Sequence, residues 1–448
     1  MTAKICKTVL TDPAIRLADG GTAVFEPRGA MGSERCVVNV YPDLPQQTVI
    51  GIGGAATESA AWCWAHLNDE AKEQFIRDYF DPAEGIGYNF LRIHIGGADF
   101  SLSPYHHIEP GDWELKTFSL ERDRRYVIPF LKAVQEKYPF KLIASPWSPP
   151  PFMKDNDSFV GGSLRPDAYD AWARYLGRFV EEYRGEGLNV DCVTLQNESW
   201  HVKNWETCGY THEQAHDFAV AAAKVLHPLG VKIYFWDHNR QDLIRAARVM
   251  YRDEAGLEAA DGAAYHLYSG DHFENVRLFR ELWPGKDVLF TEGCAYDEER
   301  SIKKKNAVPF AQKYARELAM NLNAGATGFL DWNLVLDEAC GPSNLREVRK
   351  FQCDAPVRSL KDGSYLKTPS YYAIGQYARF IRPGARILAS TSYSPDLLPT
   401  AFRDPEGSVG CVLYNQSAES TGVQLVVGEE RIKFEMEPLS VYTLIFEA

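Results

Sequence analysis

A chain of 448 residues with 45% hydrophobic side chains can bury a large core, and a charged fraction of 24% is ordinary for a globular protein. The formal net charge of −13, without a basic block, argues against a nucleic-acid partner and against an anionic membrane surface. No apolar run approaches the roughly 18 residues of a transmembrane helix, so we expect no stable membrane insertion.

The N-terminus and the cysteines bear on the cellular location. Residues 1–6 contain no continuous apolar segment, which predicts that there is no signal peptide. Nine cysteines are scattered without CxxC pairs or zinc-like spacing, and we interpret them as reduced thiols. Both observations predict a cytoplasmic protein.

Between about residues 48 and 333, β-prone runs alternate with amphipathic helical stretches. The predicted strands cover residues 49–53, 89–95, 141–145, 192–196, 232–236, 263–268, 287–291 and 328–332. The predicted helices cover residues 70–80, 122–138, 168–183, 215–226, 240–251, 273–282, 307–323 and 369–381. Eight strand-helix units are the number that closes an α/β fold into a (β/α)8 TIM barrel. A doubly wound open sheet is the structural alternative, but no GxGxxG phosphate loop follows an early strand.

The two ends of the chain do not follow this alternation. Residues 1–46 contain short β-prone pieces at 22–25 and 36–41. After the last helix the apolar period changes to two over residues 387–391, 400–403, 409–414, 422–427, 431–435 and 440–446, which is typical of antiparallel strands. We therefore predict a barrel over 47–380 and one β-sandwich domain built from both termini, residues 1–46 and 381–448.

Two of the predicted barrel strands end in a glutamate. The fourth runs into Asn197 and Glu198, and the seventh runs into Glu292. A (β/α)8 barrel displays its catalytic groups at the C-terminal ends of its strands. Two glutamates at one barrel mouth suggest the acid/base and the nucleophile of a retaining glycosidase. For either segment alone, the alternative stays open that the Glu only closes a strand and pairs with an Arg or Lys.

Polar or aromatic residues follow all eight predicted strands. In chain order they are Glu58, Arg92 with His94, Trp147, Asn197 with Glu198, Asp237 with His238, His266 with Tyr268, Glu292, and Trp332 with Asn333. Such a rim can hydrogen-bond sugar hydroxyls and stack on the apolar face of a sugar ring. The rim therefore predicts a carbohydrate as the binding partner.

Several short motifs resemble glycoside hydrolase family 30, and the glucosylceramidase-like branch fits best. They are Gly51-Ile52-Gly53-Gly54-Ala55, Leu91-Arg92, Asp99-Phe100-Ser101, Ala144-Ser145-Pro146-Trp147, Gln196-Asn197-Glu198, Glu292 and Trp332-Asn333-Leu334. Six or more motifs fall in the family's order and spacing, from about residue 48 onward. The resemblance implies a barrel with a β-sandwich from both termini, and a β-linked carbohydrate substrate.

The resemblance also implies roles for individual residues. Glu198 matches the acid/base, Glu292 matches the nucleophile, and Asn197 matches the residue that binds the sugar 2-hydroxyl. Arg92 and Tyr268 match positions close to the nucleophile. The other matching or rim residues that we expect to bind substrate are Asp99, Trp147, His266, Trp332 and Asn344. Among them, Asp99 matches the position that holds hydroxyls around O4 and O6 of a glucose ring.

Two expectations concern protonation and metals. We expect Glu198 to stay protonated near neutral pH, because burial and the like charge of Glu292 disfavour its ionised form. His106, His107, His238 and His266 show no recognised ligand spacing, so we expect them to bind sugar or backbone. The two-glutamate mechanism then needs no metal and no cofactor.

One departure from the family concerns the leaving-group side. Ser199, Trp200 and His201 follow Glu198, where the family often has a proline directly after the acid/base. The leaving-group preference is therefore not carried over. The absence of a predicted export signal argues against a lysosomal or secreted role on membrane glycolipid.

The leading hypothesis is a cytoplasmic, exo-acting β-glucosidase that hydrolyses small β-glucosides or oligosaccharides. A β-1,6-glucanase, a β-xylosidase or a β-fucosidase would use the same mechanism. A carbohydrate-binding protein on an inactivated barrel is a remote alternative, against which both glutamates and Asn197 argue. The sequence fixes neither the aglycone, the linkage nor the oligomeric state.

Overall fold

The computed structural model describes residues 1–29, 36–297, 307–344 and 352–447. Eight parallel strands close into a barrel, in which each strand pairs with its neighbours in chain order and the first pairs with the eighth. They are Gly51–Ala55, Phe90–Ile95, Lys141–Pro146, Cys192–Thr194, Lys232–Asn239, Gly262–His266, Asp287–Glu292 and Gly328–Asp331. The predicted (β/α)8 barrel is confirmed, and each predicted strand overlaps an observed one.

Small and apolar residues allow these strands to close the barrel. A layer of buried side chains that includes Phe90, Ile143, Tyr234, Leu289 and Leu330 fills its interior. The first strand contains three glycines, Gly51, Gly53 and Gly54, because neighbouring atoms leave no room there for side chains. A Cβ atom on Gly53 would lie 1.7 Å from the backbone oxygen of Phe90, so no larger residue fits this position.

The helices lie between the strands, as the amphipathic pattern predicts. They are Glu58–Ala65, Asp69–Phe80, Val127–Gln135, Tyr169–Gly185, His212–Leu226, Leu243–Met250, Glu254–Ala259, Phe273–Leu282, Val308–Ala324 and Pro369–Ala378. Their buried faces join one continuous core with the outer faces of the barrel strands. Within the described residues, no helix is both long and apolar enough to cross a membrane.

The two ends of the chain form a ten-stranded sheet beside the barrel. Its strands, in spatial order, are Ala18–Val24, Thr2–Val9, Ser440–Phe446, Val409–Asn415, Leu397–Arg403, Arg386–Ser392, Val37–Thr48, Thr421–Val427, Glu430–Met436 and Glu26–Pro27. The predicted β-sandwich from both termini is thereby confirmed. One pair departs from the antiparallel expectation, because Thr421–Val427 runs parallel to Val37–Thr48.

Polar contacts fix this sheet against the barrel. Gln376, on the last helix, donates to Thr8 at 2.8 Å and accepts from Thr443 at 2.6 Å. It therefore joins the first and the last strands of the chain. Asn323, on a barrel helix, donates to the backbone oxygen of Pro399 at 2.6 Å.

Short strands complete the barrel mouth. Ala295–Asp297, just after the seventh barrel strand, pairs with Gln352–Asp354. Val335–Asp337, just after the eighth, pairs with Val357–Ser359, which in turn pairs with Tyr365–Lys367.

Candidate active site

The carboxyl ends of the barrel strands bring the sequence-predicted site residues together around Arg92. This guanidinium is fully buried on the second strand. Its Nη1 donates to Glu292 Oε2 at 2.6 Å, and its Nη2 donates to Asn197 Oδ1 and to Asp237 Oδ2, both at 2.8 Å. Ser145 accepts from Nε at 3.0 Å. Arg92 therefore ties the ends of the fourth, fifth and seventh strands into one rigid unit.

Glu292 ends the seventh strand and accepts two hydrogen bonds from fixed donors. Besides Arg92 on Oε2, the Tyr268 hydroxyl donates to Oε1 at 3.0 Å. His266 Nδ1 lies 3.9 Å from the same oxygen and 3.1 Å from Glu198 Oε1. The two carboxylates consequently lie within about 7 Å of each other, the sum of those two distances.

Glu198 faces histidines instead of an arginine. Its φ of 47° puts it in the left-handed region, and its N–H donates to the backbone oxygen of Asp237 at 2.9 Å. His266 Nδ1 lies 3.1 Å and His238 Nδ1 3.7 Å from Oε1, while His201 Nδ1 lies 3.3 Å from Oε2. The loop that departs from the family pattern thus contributes one of the three imidazoles.

These contacts overturn the expected protonation of Glu198. Burial raises its pKa, but the neighbouring imidazoles of His201, His238 and His266 outweigh burial and hold that pKa well below the ordinary range. The expectation of a neutral Glu198 was therefore wrong for the free site. That expectation rested on burial and on the charge of Glu292. The three imidazoles come from the ends of three different barrel strands, so no local sequence pattern places them next to Glu198.

His266 holds the proton that Glu198 lacks. Burial alone lowers its pKa, but the charge of Glu292 and the hydrogen bonds with Asp237 and Glu198 raise it to about 9. His266 Nε2 lies 3.0 Å from Asp237 Oδ1. Glu198 and His266 thus form a pair that shares one proton across a 3.1 Å contact.

Asp237 is the main site residue that the sequence analysis did not select. It is fully buried and also accepts from the hydroxyls of Thr194 at 2.7 Å and Thr291 at 2.6 Å. Burial raises its pKa, but Arg92 and His266 lower it below the ordinary range. Its position after the fifth strand was visible in the sequence. Its contacts with Arg92 and His266 were not.

Two stacked indoles form an apolar wall of the site. The rings of Trp147 and Trp332 lie 5.3 Å apart with 21° between their planes, and the guanidinium of Arg92 lies 5.0 and 5.3 Å from their centres. Phe100 packs edge-on against Trp332 at 6.0 Å. The indoles therefore stand next to Arg92 and the carboxylates that it binds.

Asp99 and Asn344 form the far side of the site. The backbone N–H of Asn344 donates to the backbone oxygen of Asp99 at 2.8 Å. The Asp99 Oδ1 atom is buried and has no hydrogen-bond partner within the described ranges. Burial, with the charges of Glu292 and Glu198, raises the pKa of Asp99 well above its usual range. Burial therefore favours the neutral form of this carboxyl, which can both donate and accept a hydrogen bond.

Glu206 is a second residue that the sequence did not reveal. Its Oε2 accepts from Asn344 Nδ2 at 2.8 Å, and burial raises its pKa to about 7. It lies in the loop that follows Glu198, in a stretch without helical or strand periodicity, so no sequence pattern singled it out.

The four histidines that were considered as possible metal ligands separate into two groups. His106 stacks on Phe159 with ring centres 5.0 Å apart, and His107 binds Tyr175 and Asp123. His238 and His266 instead converge on Glu198, where the three ligand atoms lie within 4.8 Å of one another. The expectation that no metal binds there stays a prediction, although sequence spacing did not show that these two residues meet in the fold.

A (β/α)8 barrel with two glutamates at the ends of strands four and seven is an arrangement typical of glycoside hydrolases. A profile of the glycosyl hydrolase family 30 TIM-barrel domain matches residues 49–381, and one of the family's β-sandwich domain matches residues 384–444. The chain belongs to glycosyl hydrolase family 30.

Individual relatives agree with this assignment. The lysosomal acid glucosylceramidase of Mus musculus is 29% identical over 89% of this chain and 80% of its own length. An endo-1,6-beta-D-glucanase of Neurospora crassa is 23% identical over 81% of this chain and 76% of its own length. The crystal structure of SrfJ from Salmonella typhimurium superposes with a TM-score of 0.93 at 31% identity, covering both chains completely. The structure of an endo-β1,6-glucanase superposes with a TM-score of 0.88 at 26% sequence identity, again over the full length of both chains.

Proposed function

We propose that this glycoside hydrolase is a retaining, exo-acting β-glucosidase that works by double displacement through Glu292 and Glu198. The observation that carries the proposal is the contrast between two neighbouring carboxylates. Fixed donors, Arg92 and Tyr268, hold Glu292, whereas titratable imidazoles surround Glu198. A retaining mechanism requires this division between a nucleophile that fixed donors hold in place and a group that exchanges a proton.

In the first step, a Glu292 oxygen bonds to the anomeric carbon while the glycosidic carbon–oxygen bond breaks. Arg92 and Tyr268 hold Glu292 in position to attack that carbon. The departing oxygen takes a proton from Glu198, which has received it from His266 through their 3.1 Å contact.

In the second step, Glu198 takes a proton from water, and that water attacks the anomeric carbon. The bond between this carbon and Glu292 breaks, so the sugar leaves with its original configuration. Asp237 accepts from His266 Nε2 and stabilises the charged form of this ring whenever the ring holds the shared proton. Every proton transfer therefore uses side chains that the barrel holds in place.

The glycone pocket favours glucose. Asn197, oriented by Arg92, is placed to bind the 2-hydroxyl, and the stacked Trp147 and Trp332 offer an apolar face. The unpartnered Oδ1 of Asp99 is suited to a hydroxyl near O4 or O6. A sugar without the 6-hydroxymethyl group would leave this buried oxygen unsatisfied.

We propose small β-glucosides and oligosaccharides as substrates, and a cytoplasmic location. A second candidate is endo-β-1,6-glucanase activity. It is supported by the superposition on an endo-β1,6-glucanase over the full length of both chains. The names of the relatives include both glucosylceramidase and endo-1,6-glucanase, so only assays separate these substrates.

Two assays test the proposal. Proton NMR of the first product from an aryl β-glucoside should show β-glucose, and α-glucose as first product would contradict retention. The value of kcat/KM should be highest for aryl β-glucoside among the β-glucoside, β-xyloside, β-galactoside and β-fucoside. Cleavage of long β-1,6-glucan at internal bonds, with little activity on the disaccharide, would instead establish the second candidate.

A further inference from the structure

Three potential metal ligands converge at one point of the barrel mouth. His266 Nδ1 lies 3.1 Å and His238 Nδ1 lies 3.7 Å from the same oxygen, Glu198 Oε1. All three side chains are buried, and His238 Nδ1 has no hydrogen-bond partner within the described ranges. In a tetrahedral zinc site with bonds of about 2.0–2.1 Å, the ligand atoms are roughly 3.4 Å apart. The two separations from Glu198 Oε1 lie within about 0.3 Å of that value, and all three ligand atoms lie within 4.8 Å of one another.

The second coordination shell is also in place. Asp237 Oδ1 lies 3.0 Å from His266 Nε2. A carboxylate in this position keeps one ring proton on Nε2, so a bound Zn²⁺ displaces only the proton that Nδ1 shares with Glu198. Carboxylate–histidine pairs of this kind orient the imidazole ligands of zinc.

The local charge favours a dication. Glu198, Asp237 and Glu292 bring three carboxylates to the site, and Arg92 is the guanidinium that binds two of them. The remaining charge is negative in a region with little access for water. Two imidazoles and one carboxylate are ligands that Zn²⁺ prefers, and they leave a fourth position open.

His201 marks a route to this position from solvent. It lies on the loop after Glu198, with its Nδ1 3.3 Å from Glu198 Oε2, and its side chain is 39% exposed. Its ring centre lies 5.7 Å from that of His238. An ion that enters from the mouth therefore meets His201 before it reaches the buried ligands.

We propose that Glu198, His238 and His266 form a reversible Zn²⁺ site, and that its occupation inhibits the enzyme. A bound Zn²⁺ occupies the lone pair of Glu198 Oε1, which otherwise exchanges the proton with the leaving oxygen. The metal is thus an inhibitor and not a participant in hydrolysis. The inhibition rests on the role proposed for Glu198, whereas the binding rests on geometry alone.

Binding is measured on metal-free, fully reduced protein with Co²⁺ or Zn²⁺ alone. Co²⁺ should give the visible absorption of a four-coordinate nitrogen and oxygen site, without the near-ultraviolet band of a cysteine thiolate. Zn²⁺ should displace Co²⁺ at one equivalent per chain. In a parallel assay, micromolar Zn²⁺ should lower aryl β-glucoside turnover more than tenfold, and EDTA should restore it.

Variants locate the site. His238→Gln and Glu198→Gln should each weaken Co²⁺ binding at least tenfold. Both variants should keep a cooperative thermal unfolding transition, which shows that they are folded. His272→Gln, at a half-exposed histidine that faces Glu274, is the matched control and should bind like the wild type. Failure of the wild type to bind Co²⁺ or Zn²⁺, or unchanged binding by both site variants, would overturn the proposal. If the ion binds but no β-glycoside is hydrolysed, the site stands and the proposed function fails.

Discussion

Arg92 donates a 2.6 Å hydrogen bond to Glu292, and both side chains are buried where the barrel strands end. The same guanidinium binds Asn197 and Asp237. The proposed nucleophile, Glu292, is therefore positioned by a group that carries its charge at every physiological pH. Glu198 depends on histidines, whose charge changes with pH. The two glutamates differ in chemistry because their partners differ.

Loss of the Tyr268 hydroxyl should slow glycosylation without unfolding the protein. The Tyr268→Phe variant removes the 3.0 Å hydrogen bond to Glu292, and we expect kcat/KM to fall by roughly 10- to 100-fold. Tyr265→Phe is the matched control, because that hydroxyl donates to Asn321 on the outer helix Val308–Ala324. An equal loss of activity in both variants would show that the effect of Tyr268 is only structural.

Activity should fall at alkaline pH as the shared proton of Glu198 and His266 is lost. The pKa of His266 is raised to about 9 by Glu292, Asp237 and Glu198, against the opposing effect of burial. Below that pH the pair holds a proton for the leaving group, and above it the proton is gone. The alkaline limb of kcat/KM should therefore lie near pH 9.

His266→Gln tests this assignment. Glu198 alone then carries the proton, so the alkaline limb should move to lower pH, most clearly for substrates with poor leaving groups. If the alkaline limb of the kcat/KM profile stays at the same pH in this variant, the limb reports the titration of another group.

Glu206 should lower stability at neutral pH. Its folded pKa of about 7 lies above the ordinary 4.5, so the folded protein binds this proton more tightly than the unfolded chain. Stability therefore falls as pH rises from about 4.5 to 7. Glu206→Gln, which can still accept from Asn344, should raise the free energy of unfolding by about 1–3 kcal/mol at pH 8 and hardly at pH 4. Denaturant unfolding at both pH values checks this, and an equal effect at both would contradict it.

Glu198→Ala should respond to azide. Aryl glycosides with good leaving groups need little protonation, so the first step survives and the second becomes limiting. Added azide should restore turnover and yield the β-glucosyl azide. An α-azide product would indicate an inverting mechanism.

The fold was readable from the sequence because each strand is a short apolar run followed by a polar end. Glu198 and Glu292 stood out because a carboxylate interrupts such a run. The ten predicted site residues all lie at the barrel mouth, although their roles stay predictions until they are tested.

What the sequence did not reveal depends on contacts between strands. Asp237 matters because Arg92 and His266 both reach it, and the low pKa of Glu198 arises from imidazoles on three separate segments. Charges that come from different strand ends leave no local pattern. The state of a buried group is set by all of its neighbours, and these are known only once the barrel closes.

Covalent trapping tests the central claim most directly. A 2-deoxy-2-fluoro-β-glucosyl fluoride forms the glycosyl-enzyme quickly and releases it slowly. The fluorine at C2 destabilises both transition states, but the fluoride at C1 is a good leaving group and speeds only the first step. Mass spectrometry of the intact protein should show one added fluoroglucosyl group, and peptide mapping should place it on Glu292. Glu292→Gln should stay unlabelled. An adduct on another residue, or turnover of natural β-glucosides without any trapped intermediate, would contradict the two-glutamate account.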